Sequence, residues 1–258
     1  EEEEEKNRHM EEYDDDDVED YAEYLDESLS IDYGKIYNTR YLVLRRAYSK
    51  FDIKLLKNFE KENSDWLEDF SLFMTLKDYH HGVSFLEWKD EYKFRNKKAL
   101  SSFKKEHLDD VNFWKFTQYY FFKQWNDLRV YANSKGIKII GDMPIYTALD
   151  SSDVWSNPNL FQLGSDLKPK LVAGCPADDF APLGQLWGNP LYDYKAMKET
   201  NYAWWVRRVE VSIKLFDTIR IDHFRGFEAY FAIPATDSDA LKKKKKKGPN
   251  VALFNAIK

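Results

Sequence analysis

Apolar and polar positions recur with two different periods along this chain, and the change from one to the other falls near Gly136. Before it the period is helical. Tyr37, Tyr41, Leu44, Tyr48 and Phe51 are three and four residues apart, which places them on one stripe of a helix starting near Tyr33. Apolar groups follow at Trp66, Leu67, Phe70, Phe73 and Met74, and at Phe85, Leu86, Trp88 and Tyr92, with lysine-rich breaks expected near Lys57 and Lys97. The strongest helical pattern starts from a cap at Asp109 or Asp110 and runs through Phe113, Phe116, Tyr120, Gln124, Leu128 and Tyr131 to Ser134. Gly136 closes it. Residues 33–110 thus read as a helical subdomain, with no strand expected ahead of Gly136.

After Gly136, the run Ile137-Lys138-Ile139-Ile140-Gly141-Asp142 reads as a buried strand ending on an aspartate. The outline then repeats. A helix over residues 202–215 carries Trp205, Val209, Ser212 and Phe216 on one face and leads into Ile219-Arg220-Ile221-Asp222, a second strand ending on an aspartate. Two such units suggest consecutive pieces of a parallel α/β sheet with Asp142 and Asp222 at one rim. In a parallel barrel that rim is where loops converge on a pocket. Arg220, two residues before Asp222, favours its charged form, as a nucleophile requires. Such a pair is also a common structural ion pair, and Asp142 before Pro144 also suits a turn. Between the units, residues 143–200 read as a long connection rich in Pro, Gly, Asp and Trp, a length usually tied to function. There Gln185 and Trp187 suit hydroxyl bonding and stacking on a sugar ring; burial of Trp187 in the core is the other reading.

Composition narrows the classes. A chain of 258 residues with 43% apolar side chains can bury a real core, and 17% aromatics suits both core packing and ring stacking. Cys175 stands alone, which excludes an internal disulfide, and no apolar run nears the roughly 18 residues a membrane helix needs. The net charge of −6 disfavours nucleic acid. The acidic start lacks the basic region of a secretory signal, so a cytoplasmic location is expected. Residues 1–32 read as an acidic low-complexity tail. His80 and His81 are adjacent and have no third ligand at metal spacing, so neither a metal nor a cofactor is expected.

Ile140-Gly141-Asp142-Met143-Pro144-Ile145-Tyr146, Asp150-Ser151-Ser152-Asp153-Val154-Trp155, the stretch Gly184-Gln185-Leu186-Trp187-Gly188-Asn189-Pro190 with Leu191-Tyr192-Asp193, and Arg220 to Phe227 closely resemble the amylomaltases. These are 4-α-glucanotransferases of glycoside hydrolase family 77, in the α-amylase superfamily. The resemblance runs from about residue 33 to 235. It implies a partial (β/α)₈ TIM barrel with an inserted helical subdomain: residues 33–110 helical, 111–235 central barrel strands with a long active-site loop, and 236–258 a basic tract and part of a following helix. It implies that Asp222 is the catalytic nucleophile, that Arg220 keeps it ionised, and that Asp142, Gln185, Trp187 and His223 bind substrate, with residues 174–184 overhanging the cleft. The implied reaction moves a segment of an α-1,4-glucan to the 4-hydroxyl of glucose or a maltooligosaccharide by retaining double displacement.

Departures from that family set further expectations. Its members run to about twice this length, so an incomplete copy lacking the acid/base glutamate and a third aspartate is expected. Ala177 and Asp179 stand where a proline and an aromatic are usual, and Lys242 to Lys247 replace a mixed surface segment. A non-catalytic α-glucan-binding module and an α-glucan hydrolase are the alternative functions.

Overall fold

A computed structural model describes residues 31–258 apart from Asp178 and Phe180. The low-complexity reading of the tail therefore falls, for residues 1–30, outside the described residues. Two compact units divide the chain, Glu1–Asp52 and Ile53–Lys258. The described part of the first is helix α1 (Tyr33–Tyr48), whose Lys35 N–H donates to the Asp32 carboxylate at 2.9 Å. That bond satisfies one of the free donors at the helix start.

The second unit opens with helices α2 (Leu56–Glu62), α3 (Leu67–Tyr79), α4 (Asp90–Lys93), α5 (Lys97–Glu106) and α6 (Leu108–Ser134). Of the two expected breaks, the one near Lys97 is there, between α4 and α5, while Lys57 lies within α2. Lysine is a good helix former, and breaks fall at stronger turn chemistry. Before α5, for instance, Arg95 adopts a positive φ and the Asn96 side chain caps the helix through Lys98 and Ala99 N–H. Nor do Asp109 and Asp110 cap α6. The helix begins at Leu108 straight after α5, with His107 as an uncapping neighbour, and both aspartates sit in its first turn, where they favour the dipole. At the other end Gly136 takes φ +77°, and Gly136 and Ile137 N–H close on the carbonyls of Asn133 and Ala132.

The stripe along α6 holds for only half its length. Phe113 and Phe116 are buried, whereas Leu128 and Tyr131 are 53% and 63% exposed. The second half instead turns Trp125, Arg129 and Asn133, four residues apart, towards the last residues of a later helix and the segment after it. Trp125 and Arg129 donate to the carbonyls of Leu215 and Lys214.

Beyond α6 the order is β1 (Ile140–Met143), α7 (Ser152–Ser156), β2 (Leu171–Cys175), β3 (Gln185–Pro190), α8 (Tyr194–Glu199), α9 (Ala203–Leu215), β4 (Thr218–Ile221), β5 (Ala229–Pro234), β6 (Lys244–Lys247) and α10 (Val251–Ile257). β1 and β4 pair in parallel, and β3-β2-β5-β6 form an antiparallel sheet. The architecture is mixed α/β.

Two expectations change here. The strand predicted from Ile137 starts at Ile140 and is not buried: Ile137 and Ile140 are 59% and 68% exposed, while Gly141 and Met143 are buried. Only the face towards α9 is covered; Ile140 and Asp142 look out from the other. The connection over residues 143–200 is not a loop, since it holds two helices and the β2/β3 hairpin, whose β2 also pairs with β5. Likewise the basic tract contains β6, an edge strand, followed by α10.

One aromatic-rich core joins the helices to the strands. Phe73, Trp88 and Trp155 meet at ring separations of 5.4–5.9 Å, and the same cluster contains Tyr192, Trp205 and Phe227. Each such pair adds roughly 0.5–1.5 kcal/mol beyond simple burial. The core therefore crosses residue 110 without a break. Among the described residues no helix is long and apolar enough to cross a membrane.

Candidate active site

The parallel pair β1/β4 is fixed at both ends. Where the strands begin, the Asp217 carboxylate accepts from Ile139 N–H and Asn133 Nδ2, each at 2.8 Å, and from Arg129 Nε at 3.4 Å. These bonds, the Ile139 backbone first, hold its pKa below the usual carboxylate value. The Phe216 ring lies directly over Gly141, where any Cβ would collide with it. Where the strands end, Asp222 N–H donates to the Met143 carbonyl at 3.0 Å.

The register sets Asp142 opposite Arg220. Side chains alternate along a strand, so Asp142, Arg220 and the following Asp222 all project on the open face. The guanidinium forks between the two carboxylates: Nη1 donates to Asp142 and Nη2 to Asp222 Oδ1, the latter at 2.7 Å. The three side chains are 56–59% exposed, so this is an accessible face rather than a closed cavity.

Immediately after Asp222 the chain reverses through His223 at φ +47°. A non-glycine residue there is uncommon, and here the turn sets the imidazole edge-on to the Trp187 indole at 4.9 Å. Gly226 completes the turn, because a Cβ on it would press into Ile145 and the His223 ring. Burial pushes the His223 pKa down, with Asp222 acting upward and Arg225 downward. Trp187 is half-buried, and its Nε1–H donates to Gln185 Oε1 at 2.9 Å, so amide and indole are held side by side.

The structure thus brings Asp142, Arg220 and Asp222 into one hydrogen-bonded group, and Gln185, Trp187 and His223 into another that adjoins it through the Asp222–His223 peptide. Of the two readings of Trp187, neither holds alone: one side packs on Tyr146 at 6.3 Å while the residue keeps partial exposure. Residues to which the sequence assigned no role support this wall. Tyr146 stacks on Tyr192 at 5.6 Å, and Asn189 Nδ2 donates to the Thr147 carbonyl at 2.8 Å, tying β3 to the loop after β1. Elsewhere, His80 engages the Leu76 carbonyl and stacks on Trp88. Among the described residues no three His, Cys, Asp or Glu side chains gather as a metal site would require.

An arginine bridging two exposed carboxylates beside an indole and a primary amide can hold a neutral polyhydroxylated ring, and one carboxylate can attack an electrophilic carbon above the rim. A family model described as 4-alpha-glucanotransferase, glycoside hydrolase 77, matches residues 3–258. A 4-alpha-glucanotransferase of Clostridium butyricum is 48% identical over 248 residues, covering 94% of this chain and 51% of the relative. One from Streptococcus pneumoniae is 43% identical over 242 residues, covering 92% of this chain and 48% of the relative. Among solved structures, the amylomaltase from Streptococcus agalactiae in complex with acarbose superposes with a TM-score of 0.83 at 39% identity, covering 88% of this chain and 47% of that one. The chain spans about half the length of the curated relatives it matches.

Proposed function

This chain belongs to the glycoside hydrolase 77 family of 4-alpha-glucanotransferases, and on that premise we propose that its open rim is the donor side of a site that transfers α-1,4-glucan segments to the 4-hydroxyl of glucose or a maltooligosaccharide. In this reading β1 and β4 are neighbouring strands of a (β/α)₈ barrel, residues 33–110 are a helical subdomain, and the protein works on cytoplasmic maltooligosaccharides.

Asp222 attacks the anomeric carbon and holds the donor segment as a glycosyl ester; an acceptor hydroxyl then displaces it with net retention. Arg220 keeps the attacking oxygen directed by its fork, while Asp142 takes the other branch and is left with one oxygen for a sugar hydroxyl. Trp187 and His223 offer ring faces, and Gln185 an amide. In this reading Asp222 is the attacking carboxylate and Asp142 the sugar-binding one, joined through Arg220. Protonation therefore falls to a third group, outside this carboxylate pair.

The observation that carries the proposal is the Asp142–Arg220–Asp222 fork beside the Trp187–His223 wall. Calorimetry with maltoheptaose on the wild type and Asp222→Asn, with product analysis from maltotriose, tests it. Binding by both proteins, with longer oligosaccharides made from maltotriose only by the wild type, supports transfer. Shorter products alone indicate a hydrolase, and binding with no turnover by either indicates a glucan-binding module. Absence of binding by both refutes the reading.

A further inference from the structure

Arg208, on α9, stands apart from the carboxylates and yet holds the segment by which the chain leaves β1. Its Nη2 donates to the Pro144 carbonyl at 2.6 Å, and its Nη1 donates to the Ile145 carbonyl at 3.1 Å and to Tyr192 Oη at 3.3 Å. Tyr192 in turn donates its hydroxyl proton to the same Ile145 carbonyl at 2.7 Å. The guanidinium lies 4.9 Å from the Trp205 ring centroid and 5.4 Å from that of Trp204. Among the described residues it makes no ion pair. The nearby Asp153 accepts from Trp204 Nε1 at 3.2 Å, and burial pushes its pKa up against the opposing pull of that bond and of the Arg208 charge. A guanidinium lodged on indole faces and directed at main-chain carbonyls is a bracket for those carbonyls.

Those carbonyls belong to the segment by which the chain leaves β1, two and three residues after Asp142. From there the contacts continue to the wall: Tyr146 stacks on Tyr192 and packs on Trp187, which meets His223. The bracket also sits on the helix that feeds β4, so it links the exit of one carboxylate-bearing strand to the approach of the other. We propose that Arg208 is a positioning residue for the rim, setting Asp142 and the Trp187–His223 wall relative to Arg220 and Asp222. This deepens the glucan reading and rests on it for the nature of the ligand.

The test compares Arg208→Met, Arg208→Lys and, as control, Arg207→Met. Arg207 adjoins Arg208 on the same helix but pairs with Asp65 and Glu210, so its loss reports on the stability and anchoring of the helix without removing a bond to Pro144 or Ile145. The readouts are the Trp187 indole and His223 ring resonances by NMR and maltoheptaose affinity by calorimetry, each taken well below the variant's own Tm. Expected are moved resonances and an affinity loss of about tenfold or more in Arg208→Met, the scale of a lost charge-assisted hydrogen bond, and an intermediate effect in Arg208→Lys. Arg207→Met is expected to lower Tm while leaving resonances and affinity near wild type. If Arg208→Met does not fold, Arg208→Lys and Tyr192→Phe decide by the same readouts. Resonances unchanged by the Arg208 variants, or moved equally by Arg207→Met, overturn the proposal. If the wild type binds no maltoheptaose while only the Arg208 variants move the rim resonances, the positioning role stands and the glucan reading fails.

Discussion

Replacing Arg220 by lysine separates the work of the fork from the work of folding. Lysine keeps the charge but is a single point donor, so it can reach Asp142 or Asp222 and not both in fixed geometry. The cost to stability is small because all three side chains are 56–59% exposed and each pair competes with water. An exposed ion pair contributes about 0.2–1 kcal/mol. One of two pairs is lost, and at this chain size that amounts to roughly 0.5–4 °C in Tm. The cost to ligand binding is larger, since a carboxylate no longer held by the fork turns freely and must be ordered again by the sugar. A loss of tenfold or more in maltoheptaose affinity is expected, read by calorimetry alongside a thermal melt. A fall in Tm beyond about 10 °C would make Arg220 a structural residue, and an unchanged affinity would remove the fork from recognition.

Other expectations follow from the same geometry. The folded pKa of His223 lies below its ordinary value near 6.5, so protonation favours the unfolded chain. Its contribution is flat above that value and destabilises progressively as pH falls below it. Trp187→Ala should bring the NMR titration midpoint back up; an unmoved midpoint would show that the indole does not bury the ring. Asp217, lowered from 3.8, contributes stability that is fully present above that pH and is lost as pH falls through its folded value. Asp217→Asn should lower Tm at neutral pH and flatten the acid limb of a Tm–pH profile. Lys115 is 7% exposed and bonds Glu60 and Glu68 at 2.8 and 2.9 Å, while those carboxylates remain about 40% exposed. Lys115→Met, which keeps the stem, should unfold in urea within about 1 kcal/mol of wild type, and Lys115→Ala should lose about 2–3 kcal/mol.

Local chemistry made some elements legible in the sequence and nonlocal chemistry hid others. The helix-glycine-strand-aspartate units could be read because Gly136 and the short apolar runs act on their immediate neighbours. The antiparallel sheet could not. β2 finds partners in β3 and in β5, and the latter lies more than fifty residues away; β6 pairs through its main chain although its side chains are all lysines. Lysines suit an exposed edge, but nothing in a lysine tract announces a strand. Exposure misled the reading of β1 and of the second half of α6, where apolar periodicity is present but one face has nothing packed on it among the described residues. At the site, the motifs singled out Asp142, Arg220, Asp222, Gln185, Trp187 and His223, and the fold sets them in two adjoining groups. Arg208 lay outside every motif, and Tyr146 lay within one without an assigned role, because their importance lies in which carbonyls and rings they meet.

The most direct measurement is an NMR titration of the labelled chain with maltoheptaose, following the Arg220 guanidinium, the Trp187 indole and the His223 ring. The expected result is that these three signals shift together, saturably, and ahead of all others. No shift in them, or saturable shifts confined to the groove of about 370 Å³ lined by Phe59, Tyr119 and Phe122, would contradict a glucan site on the β1/β4 rim.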